Sequence, residues 1–233
     1  MKPENWPELA RRVVAELIGT MLLLATVVGS GIMGERLAGG NVAIALLANT
    51  LATGAALIAL ILAFGPISGA HLNPAVTLCE AWLKRISMRD TVAYLAAQSV
   101  GAIGGVIVAH LMFGLPVISI STHIRSGPSQ AFSEFIAAFG LLSIIFGCAR
   151  SRHSAIPFAV GAYITAAYWF TASTSFANTA VTLARALTNT FSGIRPIDTP
   201  AFIAAQLAGA FAATLLFKFL APQVESIRSR SSR

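Results

Sequence analysis

Two asparagines 105 residues apart, Asn73 and Asn178, each head a short apolar stretch: Ser68-Gly-Ala-His-Leu-Asn-Pro-Ala-Val-Thr-Leu78 and Ser175-Phe-Ala-Asn-Thr-Ala-Val-Thr-Leu183. Asparagine is a strong helix N-cap, because its side-chain oxygen accepts from the free N–H groups of the first turn. Pro74 suits the first helical position, where its missing N–H is harmless. The oxygen caps and the NH₂ group remains as a donor, so the pair is suited to hydrogen bonding neutral polar groups. Two further candidates are Glu16 and Glu134, each inside an apolar run. Each is followed in its half by a glutamine in a matching setting, Ala-Ala-Gln98-Ser-Val-Gly-Ala102 and Ala-Ala-Gln206-Leu-Ala-Gly-Ala210. An intramembrane glutamate is by default a proton-relay candidate, which keeps an ion-coupled transporter in view. The chain carries no His-Glu-x-x-His pattern and no Ser/His or paired-Asp arrangement. It is therefore expected to be no enzyme and to hold no metal or cofactor. Cys79 and Cys148 lie in or beside apolar segments and read as packing residues.

The elements that must position these groups are membrane helices. Of 233 residues 56% are hydrophobic and 11% charged, against roughly 25% charged in a soluble domain; the mean hydropathy is +0.75. The net charge of +7 sits between apolar runs and at the ends, so nucleic acid is not an expected partner. Trp6 lies in a polar leader as a plausible interfacial anchor. The first apolar run is long enough to span and reads as a membrane helix rather than a cleavable signal. Spans are expected at about 11–33, 42–64, 91–112, 131–148, 155–172 and 200–220. The segment from Pro74 to about Lys84 covers about 16 Å at 1.5 Å per residue, half of a roughly 30 Å hydrocarbon core. A second half-helix is expected from Asn178 to about 190.

With both termini inside, twelve of the sixteen lysines and arginines fall on the inner face; only Arg36, Arg125, Arg185 and Arg195 lie outside, as the positive-inside rule requires. The two halves, about 11–112 and 131–220, each hold three spans, a glutamate, an Asn motif and a glutamine. An odd number of spans inserts the second copy upside down, and inverted repeats place the working site at the midplane where broken helices meet. Asn73, Pro74 and Ala75 should there face Asn178, Thr179 and Ala180. Irregular backbone at that depth lines a water-filled path or is buried in protein. The fold class is thus an all-α membrane protein: six spans and two re-entrant half-helices in one channel domain, 1–233.

The twin Asn motifs, the buried glutamates and the Gln-x-x-Gly-Ala marks together resemble the aquaporin (major intrinsic protein) family over about residues 11–220. The resemblance implies a homotetramer of six-span bundles in lipid, each protomer with its own pore for small neutral solutes. It also implies that Glu16 and Glu134 brace the re-entrant loops, with Gln98 and Gln206 buried beside them. His71 would line the inner half of the pore or bond loop carbonyls. His110, His123 and His153 read as interfacial.

The departures from the family carry the selectivity. The position three after the second Asn, usually Arg, is Val181; the often aromatic position on the second span falls at Thr53. The fifth-span position, a His in water-selective members, falls at Ala166 if no gap intervenes. Ser175 completes a filter expected to be wide and without formal charge. Arg185, one turn beyond Val181 on the same face, is a candidate for the outer mouth, although its length also lets it snorkel to the interface. Thr179 stands where Pro is usual. The stretch Phe176 to Ile194 is similar to bacterial aquaglyceroporin-like channels associated with arsenic resistance. That similarity implies a bacterial inner-membrane protein passing arsenite, glycerol-type polyols and some water.

Overall fold

A computed structural model describes residues 6–220 of the chain. Residues 1–5 of the leader, the side chain of the expected anchor Trp6 and the basic tail from Arg228 lie outside the described residues. Among the described residues eight helices follow one another: α1 (Trp6–Leu37), α2 (Val42–Ser68), α3 (Pro74–Trp82), α4 (Met88–Met112), α5 (Pro128–Ser151), α6 (Ile156–Phe170), α7 (Thr179–Arg185) and α8 (Thr199–Leu220). No strand occurs among the described residues. Short 3₁₀ turns, His153–Ala155 and Pro196–Asp198, lead into α6 and α8.

Helix ends follow local chemistry. Asn41 caps α2 by accepting from the Ala43 and Ile44 N–H groups. Ser87 caps α4 through Asp90 N–H, and Gly69, at φ 86°, turns the chain out of α2 in the left-handed conformation that glycine tolerates. Five of the helices are long and apolar enough to cross a membrane. The remaining expected span is α6, whose 15 residues cover about 22 Å. Thr171 ends it by returning its hydroxyl to the Ala167 carbonyl. The second half-helix stops at Arg185, short of the expected 190. Beyond it the chain turns and pairs with the α4–α5 loop, through Ser119 N–H to Leu187 O, Ser121 N–H to Ala186 O and Arg195 N–H to His123 O.

The packing repeats across the two halves. In the first, α1 lies against α2 and α4; in the second, α5 lies against α6 and α8. Small residues set these distances: a side chain at Gly101 or Gly105 would collide with the Leu17 or Met21 carbonyl, and one at Gly209 with the Phe135 carbonyl. Such close approach is what small-residue faces give membrane helices, whose association lacks a hydrophobic driving force. Arg12 and Asp90, 2.6 Å apart, tie α1 to α4. Both half-helices pack between α4 and α8 and touch each other. His110 is fully buried rather than interfacial: its ring bonds the Pro116 and Val117 carbonyls and the Thr188 hydroxyl, fastening the α4–α5 loop to the chain beyond α7.

Candidate functional site

The half-helices meet head to head through their caps. Asn73 Oδ1 accepts from Ala75 N–H, and Asn178 Oδ1 from Ala180 and Val181 N–H. Each amide also reaches across the junction: Asn73 Nδ2 donates to Ala177 O at 2.8 Å and Asn178 Nδ2 to Leu72 O at 2.7 Å. An NH₂ group has two hydrogens, so each Asn keeps one for the cavity that both line. Pro74, Ala75, Thr179 and Ala180 are all buried at this junction.

The loops that deliver the asparagines use backbone that L-residues avoid. Ala70 and Leu72 lie at φ 46° and 47°, and Ser175 and Ala177 at 47° and 49°. Residues in this region persist only where their surroundings over-determine them, and here the glutamates do so. Glu16 accepts from His71 N–H, Leu72 N–H, the Ser68 hydroxyl and Gln98 Nε2. Glu134 accepts from Phe176 N–H, Ala177 N–H and Gln206 Nε2. Both carboxylates are wholly buried and neither lines the cavity. The glutamines' second bonds complete the match, to the hydroxyls of Thr77 and Thr182.

A cavity of about 1320 Å³ runs from Lys84, Arg85, Arg150 and His153 at one face, past both asparagines, to Thr53, Tyr168, Ser175, Val181 and Arg185. His71 lines it and also contacts the Thr77 hydroxyl at 3.1 Å. Of the four expected filter positions, Thr53, Ser175 and Val181 line the cavity; Ala166 does not. Val160, Ile164 and Tyr168 form the lining stripe of α6. At 3.6 residues per turn Ala166 points about half a turn away from Ile164, and it is exposed. Tyr168, one turn on from Ile164, lines the cavity instead, with its hydroxyl 3.3 Å from that of Thr53. The spacing of four between Val160, Ile164 and Tyr168 is a signal that counting without a gap passes over.

Arg185 is not at the interface. It is 2% exposed, lines the cavity and donates through Nε to the Ser192 carbonyl. Its guanidinium lies 3.3 Å from the centroid of the Phe176 ring. A charge thus stands beside the filter expected to have none. Arg125, from the α4–α5 loop, also enters here: it donates to Gly193 O, Ser173 O and the Thr174 hydroxyl. Burial pushes the Arg125 pKa down from its ordinary value, and the charge of Glu134 opposes that shift. Arg125 lies outside both motifs, and Phe176, though inside the second, carried no assigned role there. No group of His, Cys, Asp or Glu among the described residues is arranged to hold a metal.

Thr179 opens α7 as Pro74 opens α3. Proline fits the first helical position without losing an intrahelical bond, so Thr179→Pro is expected to leave thermal unfolding and the water-to-glycerol permeability ratio near those of the parent chain. Proteoliposome light scattering checks this, and a large swing in the ratio would move selectivity to the midplane.

Comparison with known proteins agrees with this geometry. The description of the major intrinsic protein family matches residues 4–172 and 150–232. The chain is 54% identical over 225 residues to aquaglyceroporin AqpS of Rhizobium meliloti (strain 1021), covering 97% of this chain and 96% of that one. It is 31% identical over 147 residues to aquaporin NIP6-1 of Arabidopsis thaliana, covering 63% of this chain and 47% of that one. Among solved structures, that of the aquaglyceroporin from Plasmodium falciparum superposes with a TM-score of 0.71 at 20% identity, over 92% of this chain and 98% of that one. With two capped half-helices meeting head to head inside an inverted helical repeat, the chain belongs to the major intrinsic protein family, whose members are channels and not enzymes.

Proposed function

We propose that the chain is a passive channel for small neutral hydroxylated solutes: trivalent arsenic as As(OH)₃, glycerol-type polyols and some water. The observation that carries this reading is Val181, a buried apolar residue lining the cavity three positions after Asn178. With the Thr53 hydroxyl and the Ser175 backbone nearby, it offers a polyol both an apolar wall and hydrogen-bond partners. The likeness to a protein named aquaglyceroporin supports the polyol part. The stretch from Phe176 to Ile194 motivates the arsenite part. Such a channel runs only downhill: it releases arsenite formed inside and admits arsenite when the outside concentration is higher.

The working assembly in this reading is a homotetramer in a bacterial inner membrane, with both termini cytoplasmic and the Lys84–Arg150 face inward. Ion coupling is disfavoured because Glu16 and Glu134 are engaged by loop N–H groups and glutamines, and Glu80, which lines the cavity, is paired with Arg85. The test is arsenite uptake and glycerol entry into proteoliposomes. Fast entry that rises linearly with concentration and ignores an imposed proton gradient is expected. Saturable, gradient-driven uptake would overturn the channel reading; water flux alone would overturn the solute assignment.

A further inference from the structure

The outer end of the cavity holds a cation that the four filter positions do not account for. Arg185 is buried, and among the described residues its Nη1 has no hydrogen-bond partner and neither Arg185 nor Arg125 is ion-paired. A buried guanidinium without a counter-ion is costly unless something compensates for lost water. Here the Phe176 ring face does so in part, through a cation–π contact at 3.3 Å from the centroid. Phe176 is itself set by an edge-on contact with Phe202 on α8, centroids 5.2 Å apart. Arg125 lies 5.1 Å from the centroid of the same ring, fixed by the carbonyls of Ser173 and Gly193. Two like charges around one ring repel, so Arg125 limits where the Arg185 guanidinium can go.

The inverted repeat shows that this bracket is built into the fold. Displaced by the 105 residues that separate the asparagines, Phe176 corresponds to His71 and Arg185 to Glu80. His71 makes an edge-on contact with Tyr94 on α4, centroids 5.3 Å apart, as Phe176 does with Phe202 on α8. The same scaffold thus presents a carboxylate towards one face and a guanidinium towards the other. Glu80 has a partner, Arg85 at 3.1 Å; Arg185 is left facing the cavity.

We propose that Arg185, stacked on Phe176 and held in position by Arg125, is a displaced constriction that determines solute selectivity at the outer end of the pore. It supplies, one turn further along α7, the fixed donor and positive charge that Val181 lacks. Arg185 lines the same cavity as Val181 and Thr53, and its unpartnered Nη1–H is free to bind a polyol's hydroxyls. Arg125 acts through Arg185 and is a positioning residue. This proposal rests on the neutral-solute reading above.

The experiment compares water and glycerol permeabilities in proteoliposomes of the parent chain, Arg185→Ala, Phe176→Leu and Arg125→Gln. Arg185→Ala is expected to change the glycerol-to-water ratio about tenfold, the order of one hydrogen bond's worth of barrier, against glycerol, which loses the donor that binds its hydroxyls. Phe176→Leu and Arg125→Gln are expected to shift the ratio the same way by less. A merely structural role would lower both fluxes together and leave the ratio fixed. Should Arg185→Ala fail to fold, Arg185→Gln, which keeps an amide donor for Ser192, reads the same ratio. An unchanged ratio in folded Arg185 variants beside a conducting parent overturns the constriction and spares the channel reading. A parent and variants that all pass neither solute overturn both.

Discussion

Val181→Arg is expected to cut glycerol and arsenite flux about tenfold or more, equivalent to about 1.4 kcal/mol of added barrier, while reducing water flux less. Val181 is 5% exposed and lines the cavity with Thr53 and Ser175, so a long side chain there has no route except into the lumen. The new guanidinium finds the Phe176 ring already engaged by Arg185 and Arg125. The nearby carboxylate, Glu134, already accepts three donors. It therefore crosses the path of the solute and narrows it by several ångströms. Placed one turn from Arg185, it also sets two like charges against each other along the wall of the lumen. Stopped-flow light scattering with arsenite uptake on the same vesicles reads the result. Unchanged arsenite entry in a folded variant would remove Val181 from the filter and with it the main support for the arsenite reading.

For Glu134→Ala the expected outcome is loss of the folded protein. The side chain is fully buried and accepts from Phe176 N–H and Ala177 N–H at 2.9 Å each and from Gln206 Nε2 at 2.6 Å. Removing it strands three buried donors, each costing about 1–3 kcal/mol, against a typical total stability of about 5–15 kcal/mol. It also frees Ala177 from the left-handed conformation the carboxylate enforces, and that residue's carbonyl is the acceptor for Asn73. Glu134→Gln offers a single acceptor oxygen and should fall between. Thermal unfolding in detergent ranks the three proteins. A Glu134→Ala variant that melts with the parent would mean that the loop holds itself and that the carboxylate is available for other work.

Most of the frame was legible in the residues. The apolar runs gave the spans to within a few residues because an unbroken apolar run is what a helix in hydrocarbon must carry. Asn73 and Asn178 gave the half-helices because capping is local. The glutamates and glutamines could be paired with their loops because the second half repeats the first. What escaped depends on tertiary distance. Ala166 was placed by counting through a loop whose length is free, whereas the spacing of Val160, Ile164 and Tyr168 carried the true lining. Arg125 lies between helices where no period exists, and only the folded loop brings it to Phe176. Arg185 was marked for the mouth or the interface; its burial follows from the early end of α7 and from the Ser192 carbonyl, which takes its Nε.

The reciprocal bonds at the midplane also impose an order on biosynthesis. Each loop is braced from within its own half, by Glu16 or by Glu134, so the first half can set its half-helix as soon as α4 has emerged. The bonds from Asn73 to Ala177 and from Asn178 to Leu72 join residues 104 and 106 apart in the chain. Contacts so distant form late, because the intervening chain must be closed first. Until the ribosome has delivered α7, the first asparagine has one amide hydrogen facing a junction without its other wall. The seam of the pore is therefore sealed last, and a chain stalled before residue 178 is a half-built bundle rather than a narrow channel.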